Sequence, residues 1–325
     1  MHFAAPGGHF LFHSAFRRVA LAILVSVFPL HALDLFLSVS EGYTHYDAKD
    51  FNRVLTLMEK TTKEKGFNPY AVNTFDGHPQ NALTLGVKQG PWMLAVEAEF
   101  WVEKFTQTEV PFDLENAERD YRVTCDSLRS PNYTSKSLFG CIEASETFDF
   151  LPITLQLSYA RDVGRHFRLG AGYGIGVLAG SAHIEMTAKY YGANAIDDDH
   201  IDFQIWPGVN LVQKAFADAE YLPWKWLGVD WRMGWRLSKV QGLTLRDQKG
   251  SSRIFSSVFP DAKVGAHMYF QSFTSNPDDD KIYVGTEGEA RAKAEHEPGS
   301  TFHLVNGDFT GWFLALKLNF YWRDI

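Results

Sequence analysis

Cysteine is scarce in this chain, basic charge is outweighed, and long apolar runs are missing after the first 32 residues. The cysteines are Cys125 and Cys141 alone. An even pair this close in an exported chain reads as a disulfide closing a small loop; two free thiols or a metal pair are the alternatives. Lys and Arg number 31 against 39 Asp and Glu, a formal net charge of -8. No basic patch is on offer to displace counterions from phosphate, so a nucleic-acid partner is excluded. Mean hydropathy is -0.20, and beyond residue 32 no stretch approaches the roughly 20 apolar residues of a spanning helix. That absence leaves β-barrels open, because a barrel strand needs only about 10 residues with every second one apolar.

Aromatic residues are plentiful instead, 15% of the chain with 9 Trp, beside 26 Gly. The run Phe309 to Arg323 alternates with a period of two. Trp312, Leu314, Leu316, Leu318, Phe320 and Trp322 share one face, and Lys317, Asn319 and Tyr321 share the other. Leucines between tryptophans suit a strand whose outer face crosses hydrocarbon and whose ends rest at the two interfaces. A half-buried strand of a soluble sandwich shows the same alternation without a reason for tryptophan at both ends.

At the start, Arg17 and Arg18 precede the apolar run Val19 to Leu30 and the small-residue site His31-Ala32, the three parts of a secretory signal peptide. Residues 1–32 are therefore expected to be a signal peptide and 33–325 a single barrel domain. A first strand runs from Leu33 to about Tyr46. From Phe51 to Lys65 the period changes: Phe51, Val54, Leu55 and Met58 line one helical face, which places a short helix in the first loop. Further strands follow at Leu83–Val87, Trp92–Val102, Ile153–Tyr159, Phe167–Val177, Ile201–Leu211, Leu227–Leu237 and Val264–Phe270, with Lys281–Gly285 as a weaker one. Counted with the last strand they favour ten, within a range of eight to ten; eight results if two weak segments are loop hairpins. Thr106–Thr147 and Ala182–His200 read as long outward loops, and Lys214–Trp226 as a longer turn. The glycine row opposite Tyr173 and Ile175 leaves room for a bulky neighbour, which phase assigns to Trp206. The acidic run Asp197-Asp198-Asp199-His200 reads as a solvated loop in preference to a metal site.

The faces opposite the apolar rows carry charge of both signs. Glu97, Glu99, Glu103, Arg168, Asp230, Arg232, Arg236 and Lys317 are expected to face the lumen, as a paired structural network or, alternatively, an ion-selective ring. Trp92, Trp312, Phe320 and Trp322 are the expected interface aromatics. His45, His78, His166, His183 and His267 are scattered, none with a Ser, Asp or Glu at the spacing of a known constellation. Neither catalysis nor a cofactor or metal is expected.

The signal peptide, the dyad-repeat strands, the asymmetry of long loops and short turns and the aromatic last strand together resemble the small bacterial outer-membrane barrels of the OmpW and OmpA/OmpX type. The resemblance is architectural and spans residues 33–325. It implies an antiparallel up-and-down transmembrane β-barrel in the outer membrane, with the lipid bilayer and the outer-membrane assembly machinery as partners. The function it implies is a small porin-like channel or carrier for small, hydrophobic molecules; the alternative is a non-conducting barrel whose loops bind partners. Such proteins usually finish on an aromatic residue, whereas Trp322 is followed here by Arg323-Asp324-Ile325.

Overall fold

A computed structural model describes residues 33–46, 48–64, 77–113, 124–130, 139–191, 199–206, 210–240, 242–251, 265–274 and 280–322. The proposed signal peptide lies outside these residues. Eight strands close an antiparallel ring: β1 (Asp34–His45), β2 (Gly77–Gln89), β3 (Trp92–Asp113), β4 (Phe139–Asp162), β5 (Phe167–Tyr191), β7 (Asn210–Trp224), β8 (Leu227–Val240) and β14 (Gly311–Trp322). Each pairs with the next, and β14 closes the ring between β8 and β1.

The register fixes the size of the ring. Stepping across paired residues from Trp322 leads through Leu35, Val87, Leu94, Leu157, Tyr173, Ala215 and Trp235 and returns to the starting strand at Trp312. The path returns displaced along β14 from position 322 to position 312. A stagger of this size on eight strands means a strong strand tilt, roughly 40°, and an interior just wide enough for side chains to fill.

All short connections lie at one end. Gly90 and Gly164 adopt positive φ of 57° and 86° in two of these turns, a conformation open to glycine at no steric cost. The long connections gather at the other end, where β6 (Asp199–Trp206), β9 (Thr244–Ser251), β10 (His267–Phe273), β11 (Lys281–Gly285) and β12 (Ser300–Leu304) continue the sheet beyond the ring. The two-residue β13 (Gly307–Asp308) pairs with the end of β8.

Several sequence expectations are corrected here. The ring has eight strands, not ten. Lys281–Gly285 and the segment ending at Phe270 are strands, β11 and β10, but they pair with each other outside the ring. Lys214–Trp226 is mostly β7, a ring strand, and not a turn. Its outward residues Ala215, Ala217 and Ala219 are too small to mark an apolar row. The proposed Ile201–Leu211 strand splits into β6, which joins the outer sheet, and the start of β7; Pro207 lies outside the described residues. Thr106–Thr147 and Ala182–His200 are only partly loop. β3 and β4 stay paired from Trp92↔Tyr159 to Asp113↔Phe139, and β5 runs on to Tyr191. Phe216 on β7, not Trp206, fills the glycine row: a Cβ on Gly172 would strike its ring.

Three helices accompany the strands among the described residues. In α1 (Lys49–Glu64), Phe51, Val54 and Leu55 are buried, and they pack into the cluster that includes Trp101, Phe148 and Phe309 over the long-loop mouth of the ring. Fully burying side chains of this size contributes about 1.5–3 kcal/mol each. Arg53 stacks 4.4 Å over Phe270 of β10 and pairs with Asp280, while Asp50 accepts from the Asn306 amide at 3.2 Å. The single turn α2 (Cys125–Leu128) is capped by Thr124 and joined to β4 through the Cys125–Cys141 disulfide. The third helix, α3 (Glu287–His296), lies against β11 and β12 with Lys293 over the Tyr283 ring.

Candidate functional site: a charge-filled lumen inside an apolar belt

Alternation along each ring strand sorts side chains into an outer belt and an inner column. Leu85, Val96, Leu155, Ile175, Met233 and Leu316 all stand exposed on the outside, at 46 to 64% of their surface. A continuous apolar band of this kind needs hydrocarbon around it. Trp92, Tyr159, Trp224 and Trp322 border it at the short-turn end, and Tyr43, Trp235 and Trp312 toward the long-loop end, all exposed. Of the expected interface aromatics, Trp92, Trp312 and Trp322 are exposed and Phe320 is half-buried. The ring is therefore a membrane-spanning β-barrel with aromatic girdles. Among the described residues no helix is long and apolar enough to cross a membrane.

Inside, the expected lumen charges Glu97, Glu99, Arg168, Asp230, Arg232, Arg236 and Lys317 are buried together. The Glu103 side chain lies outside the described residues. Glu97 is the hub. Its carboxylate accepts from Thr84 at 3.0 Å, Gln156 at 2.7 Å, Arg232 at 3.1 Å and Lys317 at 3.4 Å, and from Lys214. Lys214 bridges to Glu99, which also accepts from Arg236 and, at 3.0 Å, from the Trp101 indole. Arg236 donates onward to Thr44 at 2.7 Å and lies 4.4 Å over the Trp101 ring. Towards the short-turn end, Arg232 holds Asp218 through two bonds of 2.6 and 3.2 Å and stacks 3.8 Å over Phe216. Below that, Glu220 accepts from Arg168 at 2.8 Å, Tyr321 at 2.6 Å and Asn319 at 2.8 Å.

Charge is retained in so dry a space because, among the described lumen residues, every carboxylate but one has charged or polar donors at hydrogen-bond range. The exception is Asp230. One of its oxygens is buried without a hydrogen bond, and it borders a cavity of about 30 Å³ lined also by Asp218, Glu220, Lys317 and Asn319 and by Phe36 and Met93. That is room for about two waters. Above the network, Tyr46, Trp101, Phe150 and Phe309 stack and tilt against one another at 5.0 to 6.4 Å between ring centres and cover the mouth.

Lys214, Asp218 and Glu220 escape the sequence pattern, which gives Lys214–Trp226 as a turn. Their signal was present, since each lies in phase with Phe216 and alternates with alanine. Of the histidines, His78 is buried against Trp101, His166 sits in a short turn facing the Leu222 carbonyl, and His183 meets Ser181. Asp197 and Asp198 fall outside the described residues, among which no group of three or more His, Cys, Asp or Glu side chains is placed to hold a metal.

No family model matches the chain. No curated protein matches it either. Among solved structures it is similar to neisserial surface protein A, at 6% identity and a TM-score of 0.30 over 88% of this chain and 96% of that one. It is also similar to a chain described under "Asymmetric conductivity of engineered proteins", at 7% identity and a TM-score of 0.15 over 89% of this chain and 100% of that one. Likenesses this loose carry no weight beside the register, on which the barrel assignment rests.

Proposed function

We propose that this chain is an outer-membrane barrel that transports no solute and works by presenting the folded structure at its long-loop end to partners outside the cell. The observation that carries this reading is the lumen. From Arg168 and Tyr321 at one end, through Arg232 and Glu97, to Arg236 and Glu99 at the other, side chains cross-link opposite walls of the ring. A path for a small solute would require breaking several buried ion pairs, at about 3–5 kcal/mol for each one stripped of a partner.

The outer sheet, the paired upper halves of β3, β4 and β5 and the disulfide-joined α2 amount to far more ordered structure than an eight-strand ring needs for closure. Connections of this length that carry their own secondary structure are ordinarily functional. The channel or carrier reading finds only the cavity beside Asp230 in its favour.

Single-channel recording of the chain from residue 33, refolded into planar bilayers, tests this directly. A folded protein, shown by heat-modified gel migration, should remain electrically silent. Discrete openings of a reproducible size would overturn the proposal and return the function to transport.

A further inference from the structure

The chain is acidic overall, with a net charge of -8, yet the uncompensated charge at the short-turn end of the ring is positive. Of the three short connections there, the one between β2 and β3, at Gly90 and Pro91, carries no charge. The β4–β5 and β7–β8 turns carry Arg165 and Lys225, and Arg161 stands at the end of β4. All three side chains are exposed, and none makes an ion pair with a described residue. The acids outside the lumen at this end are placed against cations: Asp162 accepts from Arg168 at 3.0 Å, and Asp34 is the register partner of Lys88. Even with Asp162 counted at full charge, the exposed residues of the two turns keep a positive excess.

The two turns adjoin and are fixed in place. β5 pairs with β7 from Phe167↔Tyr221 upward, and beyond that pair the Leu222 amide donates to the His166 carbonyl at 2.8 Å. The Val163 amide closes the β4–β5 turn on the Phe167 carbonyl at 2.8 Å, and the Tyr321 amide holds the β7–β8 turn through the Trp226 carbonyl at 2.9 Å. Trp224 and Trp226 stack at 5.6 Å between ring centres, one on each side of Lys225 in the chain, and are 57 and 54% exposed. Arg161 follows the girdle residue Tyr159 in the same outward phase, and its register partner Leu169 is an exposed residue of the belt. It therefore stands on the lipid side of the wall and not over the lumen.

We propose that Arg161, Arg165 and Lys225 form a binding site for the headgroup phosphate of anionic phospholipids in the leaflet that the short-turn end meets, the periplasmic one in barrels of this build. The proposal rests on the membrane placement argued above. Height selects the ligand. An indole settles at the headgroup level with its apolar body toward the acyl chains, and a Lys or Arg stem at the same level carries its charge outward to the phosphates. The two arginines offer planar forks to phosphate oxygens, and Lys225 adds a point charge. Cations without partners favour a phosphate that no headgroup amine neutralises, phosphatidylglycerol over phosphatidylcholine, by about fivefold for each cation at the surface. Turns whose charges served only to stay in water would make no choice between these lipids. Lipid held here anchors the end of the barrel opposite the folded structure at the long-loop mouth.

The test uses the chain from residue 33 folded in detergent micelles, with folding read from heat-modified migration and membrane insertion from flotation with vesicles. Equal amounts of phosphatidylglycerol and phosphatidylcholine with matched acyl chains are added, and the lipids retained on the protein are counted by native mass spectrometry. Phosphatidylglycerol is expected to be preferred, on the order of 10²-fold with all three cations acting, and the preference should weaken as salt is added. It should fall to near parity in the triple variant Arg161→Gln/Arg165→Gln/Lys225→Gln and stay unchanged in Lys239→Gln, which removes an exposed cation at the long-loop end. Excess inorganic phosphate should not displace the lipid. Folded protein that retains the two lipids equally overturns the proposal, as does a triple variant that keeps the preference. Displacement by inorganic phosphate would mark a site for free anions and overturn it as well. Failure to float with vesicles would strike the membrane placement and the proposal together, and it is read independently of the lipid count.

Discussion

Within the lumen, the cost of a substitution depends on which charge it leaves behind. Glu97 satisfies three cations, but two of them have other partners: Lys214 reaches Glu99 and Arg232 holds Asp218. Among the described residues Lys317 has an ion pair with Glu97 alone, at 3.4 Å. Glu97→Ala therefore leaves the buried Lys317 ammonium without its ion pair, with only the carboxylates of Asp230, its register partner, and Asp218 nearby, and is expected to destabilise the barrel by about 3–5 kcal/mol. Lys317→Met should cost much less, because Glu97 keeps its other donors. Combining the two should recover part of the Glu97→Ala loss, since the stranded charge is then gone. Urea unfolding in micelles measures all three, and a double variant as unstable as the sum of the singles would refute the hub. Most of this network was legible from alternation alone: Glu97, Glu99, Arg232, Arg236 and Lys317 sit opposite leucine and tryptophan rows. Its remaining members, Lys214, Asp218 and Glu220, sit opposite alanines, which carry too little hydrophobicity to announce a membrane face. The cations Arg161, Arg165 and Lys225 stay hidden for another reason. The β4–β5 and β7–β8 connections that bring them together become neighbours only once β5 is known to pair with β7.

Among the elements, the strands read most easily were those whose outer rows are largest, β3, β5, β8 and β14. On the lipid side their value depends on depth. Leu316 sits midway between Trp312 and Trp322, whereas Leu35 lies beside Trp322 at the edge of the belt. Leu316→Arg is expected to cost about 2–4 kcal/mol and Leu35→Arg about 0–1 kcal/mol, as read from urea midpoints of folding into vesicles. Equal costs at the two sites would contradict the placement of the belt. The outer strands were misassigned because a period of two does not say what covers the apolar face. On β6, Ile201, Phe203 and Ile205 stand in register with Met186, Ile184 and the buried Ala182, and on β10 Met268 and Phe270 pack into the apolar cluster that includes α1. Protein covers the β10 row where hydrocarbon covers those of the ring. The helix α1 was legible because its period of 3.6 is unlike anything around it, though its role as part of the cap depends on Phe148 and Phe309, far away in sequence.

Taken whole, the molecule closes its pore twice, with the ion-pair column inside the ring and the aromatic cap above it, and the two can be separated. Val240 and Gly307 are register partners, so the chain that leaves the ring after β8 and returns through β13 starts and ends at neighbouring points. Residues 243–306, which hold β9 to β12 and α3, can be replaced by a short Gly-containing turn without stretching the ring. The ring's ladders from β1 to β8 and β14 involve none of the excised residues. The shortened protein should therefore still show heat-modified migration. Its α1, deprived of Phe270, Asp280 and Asn306, should become a site of proteolytic cleavage, because an amphipathic helix depends on the surface its apolar face covers. The lumen network is untouched by the excision, so the variant should stay silent in planar bilayers while losing its cap. Discrete openings would instead show that the cap is what holds the pore shut and that the ion pairs line a passage, which would make the outer sheet a gate.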